Sequence, residues 1–226
     1  MEISVKDIIL ILKNELNCFL KSDRGLFVIY LILVLSWGGL FSKNMLSINS
    51  GVEILWLLFF SVIISSNFTN STFISERANG MLEVLLVSGV SRSRILSGKI
   101  LFVFLVSIFM GGVVYLIGTA FNTMRLAGEI PDALLFAKIA LTYSTASFMS
   151  ISASAWLSIR ISNPRLIHFI NILFLLIIAG IHSLLVLFYG FADEFLSLFL
   201  LVFGVLFYIL ARREFYSERV TRPVVF

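Results

Sequence analysis

Six apolar stretches, at residues 25–42, 52–74, 99–121, 133–159, 166–189 and 195–211, keep their few charges near their ends. They set the class of this chain before any motif is read. A helix rises about 1.5 Å per residue, so about 20 apolar residues cross the roughly 30 Å hydrocarbon layer of a bilayer. The first and last stretches, at about 17 residues, sit near the lower limit for crossing. Composition agrees: 59% of the 226 residues are hydrophobic and 13% charged, against roughly 45–50% and about 25% in a soluble domain. In water, a surface this apolar aggregates. Phe occurs 23 times and Pro 3 times, which excludes a disordered or collagen-like chain. The ten-residue alternation of a membrane barrel is missing. The expected fold is an all-α polytopic membrane protein with six transmembrane helices in one domain, residues 1–226.

Ahead of the first span, residues 1–24 carry Lys6, Asp7, Lys13, Asn14, Asn17 and Lys21 among their apolar residues. Val5, Ile9, Leu12, Leu16 and Phe19 recur at three- and four-residue steps and share one helical face. An amphipathic interfacial helix is expected there, packed on lipid or on protein. The charges interrupt any signal-peptide core, and no small-residue cleavage site follows. Asn163-Pro164 marks the start of the fifth span, because Asn caps a helix and Pro suits its first position.

Basic residues set the orientation. Fourteen of the 17 Lys and Arg fall on one side, in the groups Lys6 to Arg24, Arg77 to Lys99, Arg160 with Arg165, and Arg212 to Arg222. Lys43, Arg125 and Lys138 fall on the other. The positive-inside rule then puts both termini in the cytoplasm. A basic cytoplasmic rim accounts for the net charge of +4 without nucleic acid as a partner. The single cysteine, Cys18, allows no intrachain disulfide.

No span carries a central Asp, Glu, Lys or Arg. Such residues usually mark proton relays or ion sites, so a proton-coupled carrier is disfavoured. A membrane hydrolase lacks its paired carboxylates or metal ligands. No catalytic residue and no metal site is expected. His168 with Asn171 resembles a fragment of a site, but its place at a helix start suits a headgroup-level polar residue better. No phosphate-binding loop is present, since Gly98-Lys99 lacks the earlier glycine and the preceding strand. No cofactor is expected in this chain, and any ATP used must be bound elsewhere.

Residues 73–100, FISERANGMLEVLLVSGVSRSRILSGKI, are the most informative stretch. Met81, Leu82, Leu85 and Leu86 form a short apolar face between charges. Gly89 offers a stop, and Ser91 caps the next helix. The run Ser75-Glu76-Arg77, Gly80, Leu82-Glu83, Leu85-Leu86, Val90-Ser91-Arg92, Ile95 and Gly98-Lys99 resembles the cytoplasmic loop of type-2 ABC transporter permeases. Met81 stands where that family usually has Thr, and Ser88-Gly89 where it has Thr-Pro. The short chain also suits the haem-exporter permease of cytochrome c maturation.

The resemblance implies a permease subunit of an ABC exporter in a bacterial or archaeal cytoplasmic membrane. Its partners are a separate ABC ATPase subunit that binds ATP and Mg, a second permease copy or paralogue, and the lipid bilayer. Residues 75–98 are then the coupling segment, between spans one and two (25–74) and spans three to six (99–211), with a cytoplasmic tail at 212–226. Glu76, Arg77, Gly80, Leu82, Glu83, Leu85 and Leu86 are the expected ATPase-coupling residues. Arg160 and Arg165 offer a second cytoplasmic contact, or plain anchoring.

Inside the spans, Ser61, Ser65, Thr69 and Phe73 share a face that lines a pathway or dimer interface, or packs internally, with Trp37 as an aromatic contact. Thr142, Ala146, Ser150, Ser154 and Ser158 form a longer ladder suited to close helix packing. A six-span substrate-capturing component of a vitamin importer is the alternative, but it has no need of the 73–100 pattern.

Overall fold

In hydrocarbon every backbone N–H and C=O must find its partner within the protein, which favours long helices over irregular chain. The computed structural model describes residues 5–21, 24–44, 50–76, 91–126, 133–161, 163–189 and 194–215. These residues fold into seven helices with no strand: α1 Val5–Lys21, α2 Arg24–Asn44, α3 Ser50–Asn70, α4 Arg92–Leu126, α5 Ala133–Arg160, α6 Pro164–Tyr189 and α7 Glu194–Phe215. Five of the expected apolar stretches fall within α2, α4, α5, α6 and α7, the stretch 52–74 runs through α3 into the turn that follows it, and α1 falls within the expected interfacial segment.

Among the described residues, three helical windows are long and apolar enough to cross a membrane: Arg92–Phe121, Pro164–Ile181 and Phe195–Phe215. Ile29–Leu40 and Leu58–Ile74 are apolar but shorter. The α5 helix is diluted by six serines and two threonines, and it is the most enclosed element. From Thr145 to Ile159 only Phe148 and Trp156 escape full burial. Its small side chains let neighbours approach closely, and it packs along α7 and α3 with further contacts to α4 and α6. The α2 helix lies along α4, and α1 lies against α4.

Polarity is arranged inside out. Ser61, Ser65, Ser66, Thr69, Ser107, Ser147, Ser150, Ser152, Ser154 and Asn171 are fully buried, whereas Phe109, Leu116, Leu134 and Phe169 are each more than 60% exposed. A soluble protein hides such side chains, and this surface suits lipid.

The α3 helix ends in a π-helical turn, Ser71–Ser75. The hydroxyls of Ser71 and Thr72 both donate to the Phe68 carbonyl, at 2.8 and 2.7 Å. They compete there with the backbone N–H that would continue the α-helical ladder, and the turn widens. Ser91 and Asn163 start α4 and α6. The Ser91 carbonyl accepts from the N–H groups of Arg94 and Ile95, and the Asn163 side chain accepts from Arg165 N at 3.0 Å.

Candidate functional site

The segment 73–100 is described at its two flanks. Arg77, Gly80, Leu82, Glu83, Leu85 and Leu86 lie outside the described residues, as does the rest of 77–90. Glu76, the first expected coupling residue, follows the π turn directly and reaches Lys99, the last charge of the segment. Lys99 Nζ lies 2.5 Å from Glu76 Oε2 and 2.5 Å from Glu15 Oε1, with the Thr72 carbonyl at 3.5 Å. The Phe73 ring covers it, its centroid 5.9 Å from Nζ. The Lys99 side chain is 0% exposed, that of Glu15 7% and that of Glu76 15%.

Each member arrives by a local device. The widened turn precedes Glu76. Lys99 follows Gly98, where a Cβ would come within 3.0 Å of Ile11 Cγ2, so glycine lets α1 lie close on α4. Glu15 sits one turn after the buried Ile11 on the same face of α1. That face differs from the expected one: Ile9 and Leu16 are exposed, Leu12 is half-buried, and Ile11 and Glu15 are buried. Protein takes one side of α1 and leaves the adjacent apolar side uncovered.

Electrostatically the site has an excess of acid. Burial holds the Glu76 carboxyl above the usual carboxylate range. The Lys99 ammonium pulls it back down, and the Glu15 carboxyl pushes in the same direction as burial. In the sequence Lys99 reads as a cytoplasmic cation at the end of the 73–100 pattern, and no motif singles out Glu15. The one local mark of Glu15 is its four-residue spacing from Ile11.

Arg160 is exposed and turns onto α7. Its Nε lies 2.8 Å from Glu214 Oε2, its Nη2 pairs with Glu214 Oε1, and its guanidinium stacks 4.7 Å from the Trp156 ring centroid. Trp156 Nε1 donates to the same Glu214, whose hydrogen bonding raises the Arg160 pKa. Arg165 is exposed at the start of α6. The structure therefore joins Arg160 to Trp156 and Glu214 and does not bring it to Arg165.

Ser61, Ser65 and Thr69 are buried within the chain. Ser61 Oγ donates to the Leu58 carbonyl, Ser65 Oγ meets Ser107 Oγ of α4 at 3.2 Å, and Thr69 Oγ1 donates to the Ser65 carbonyl. Trp37 is half-buried against Phe60, with ring centroids 5.6 Å apart. His168 is more than a headgroup-level residue: its Nδ1 meets the Ser66 hydroxyl, and its Nε2 lies 2.9 Å from Asn67 Oδ1. One turn on, Asn171 Nδ2 donates to Ser154 Oγ of α5. These pairs tie α6 to α3 and α5 through polar groups.

Compared with protein-family models and with curated proteins, the chain matches none.

Proposed function

We propose that this chain is the transmembrane permease subunit of an ATP-binding cassette exporter, crossing the cytoplasmic membrane six times with both termini inside. The observation that carries the reading is the 73–100 pattern, from Ser75-Glu76-Arg77 through Gly98-Lys99, which resembles the cytoplasmic loop of type-2 permeases. A coupling segment needs a stiff base, and the dry contact of Glu76 with Lys99 supports one by tying its two flanks together. The basic bias across the apolar stretches supports the topology.

In this mechanism ATP and Mg bind a separate nucleotide-binding subunit, and this chain is not itself the enzyme. Closure of two ATPases pushes on residues 77–90 of two permease copies or paralogues. The push passes through the Glu76–Lys99 base into α3 and α4 and changes the exposure of a pathway between the permeases. The cargo is an amphipathic or hydrophobic molecule taken from the cytoplasm or inner leaflet.

Purification of the tagged chain from its native membranes tests this. A nucleotide-binding subunit accompanies the intact chain and is lost when residues 77–88 are deleted. Absence of such a subunit, or its retention by the deletion variant, overturns the proposal.

A further inference from the structure

The ion cluster at the base of α1 contains one cation and two carboxyls in a dry site. Lys99 offers three N–H donors, and they face Glu15 Oε1, Glu76 Oε2 and the Thr72 carbonyl. The ammonium is thus saturated, and its single positive charge balances only one of the two carboxylates. With both carboxyls ionised the cluster carries a net charge of −1 away from water, which proteins avoid by taking up a proton.

The two acids also crowd each other, because Glu15 Oε1 and Glu76 Oε2 each lie 2.5 Å from the same Lys99 nitrogen. Two ionised carboxylates held this close repel each other, and a proton on one of them removes that repulsion. We propose that Glu15, Lys99 and Glu76 form a proton-binding site, in which the two carboxyl groups share one exchangeable proton and the cluster holds α1 to the adjoining ends of α3 and α4. This inference does not rest on the transport reading.

Among the described residues, no other charge enters the site. The described charges acting on Glu76 are Lys99 and Glu15. On α1, Lys13 is exposed. On α4, Arg92 lies two turns before Lys99 and Arg94 lies on another face; both are half-buried and engaged in contacts of their own. On α5, Arg160 is paired with Glu214. Glu76 is the more exposed of the two acids, and it gives the proton its route to water.

The direction of the pH effect follows from burial. Glu76 holds its proton to higher pH in the folded chain than in the unfolded one. Its stabilising contribution is therefore fully present below the unfolded carboxyl pKa and is lost as pH rises through the folded value. Deprotonation leaves two adjacent buried carboxylates on one ammonium, and Glu76 swings toward water and loosens α1.

Infrared spectroscopy of the full chain in lipid nanodiscs reads the proton directly. The expected result is a protonated-carboxyl C=O band that persists at pH values where an ordinary glutamate, with a pKa of about 4.3, is ionised. Glu76→Gln removes that band. Glu76→Asp, which keeps an acid at the site, shifts its frequency, and Glu15→Gln moves its titration to lower pH. The thermal unfolding midpoint of wild type falls over the same pH range in which the band disappears. A wild-type band that titrates with ordinary carboxylates, or one unmoved by both Glu76 variants, overturns the assignment.

Discussion

Lys99 is buried with both of its acidic partners, and the consequence of removing it differs from that of removing all three. A lone change to Met strands Glu15 and Glu76 beside each other without a cation, the situation in which a broken buried ion pair costs about 3–5 kcal/mol. Replacing the set together (Glu15→Gln, Glu76→Gln, Lys99→Met) removes the charges rather than orphaning them, and most of the loss is recovered. Chemical unfolding in detergent micelles distinguishes the two, and equal stability of wild type and Lys99→Met defeats this account of the site. A similar contrast holds within α5. Ser150 Oγ is buried without a partner, whereas Ser154 Oγ accepts from Asn171. Ser150→Ala is therefore close to neutral, and Ser154→Ala costs about 1 kcal/mol by leaving a buried amide donor unmet. The reverse order in the same unfolding measurement contradicts the hydrogen-bond assignment.

The α1 helix is held by a narrow line of contact, Ile11 on Gly98 and Glu15 on Lys99, so its attachment is sensitive to one glycine. Gly98→Val places branched carbons where Ile11 already lies within 3.0 Å of a single added Cβ. The expected outcome is faster amide hydrogen exchange along α1, with exchange in α5 and α7 unchanged. Uniform slow exchange in α1 shows that other contacts hold it. This element also shows what the sequence makes legible. Local signals read correctly: Asn163-Pro164 starts α6, the 142–158 ladder packs internally, and residues 5–21 form a helix. Partner choice did not. The side of α1 that meets protein depends on Gly98, 87 residues after Ile11, and no periodicity within α1 reports that. Lys99 reads locally as one more cytoplasmic cation and His168 as one more headgroup residue. Their partners, Glu15 and the Ser66–Asn67 pair, lie 84 and about 100 residues away. Long-range pairing of isolated polar residues leaves no spacing for a sequence pattern to detect.

At the scale of the whole molecule, the arrangement of polarity and the length of α4 make the same demand. With 35 residues, α4 is about 52 Å long at 1.5 Å per residue, well beyond a hydrocarbon layer of about 30 Å. Its first turns carry Arg92, Arg94 and Lys99, and its apolar window starts among them. On the six-span reading proposed above, the excess length projects from the membrane at the end that joins the 77–90 segment. Accessibility of introduced cysteines tests this placement, and the single native Cys18 makes the background simple to prepare. In a Cys18→Ser chain, cysteines at positions 91 and 126 mark the two ends of α4. A membrane-impermeant thiol reagent applied to intact cells labels position 126 and leaves 91 unlabelled until the membrane is opened. Position 213, at the end of α7, behaves like 91, and position 43, at the end of α2, behaves like 126. Labelling of 91 and 126 from the same side means that α4 does not cross, and the six-span topology falls with it. Labelling of 213 from outside spares α4 but reverses α7. The C-terminal basic group would then lie opposite the 91–99 group, and the Arg160–Glu214 contact could not form as it stands.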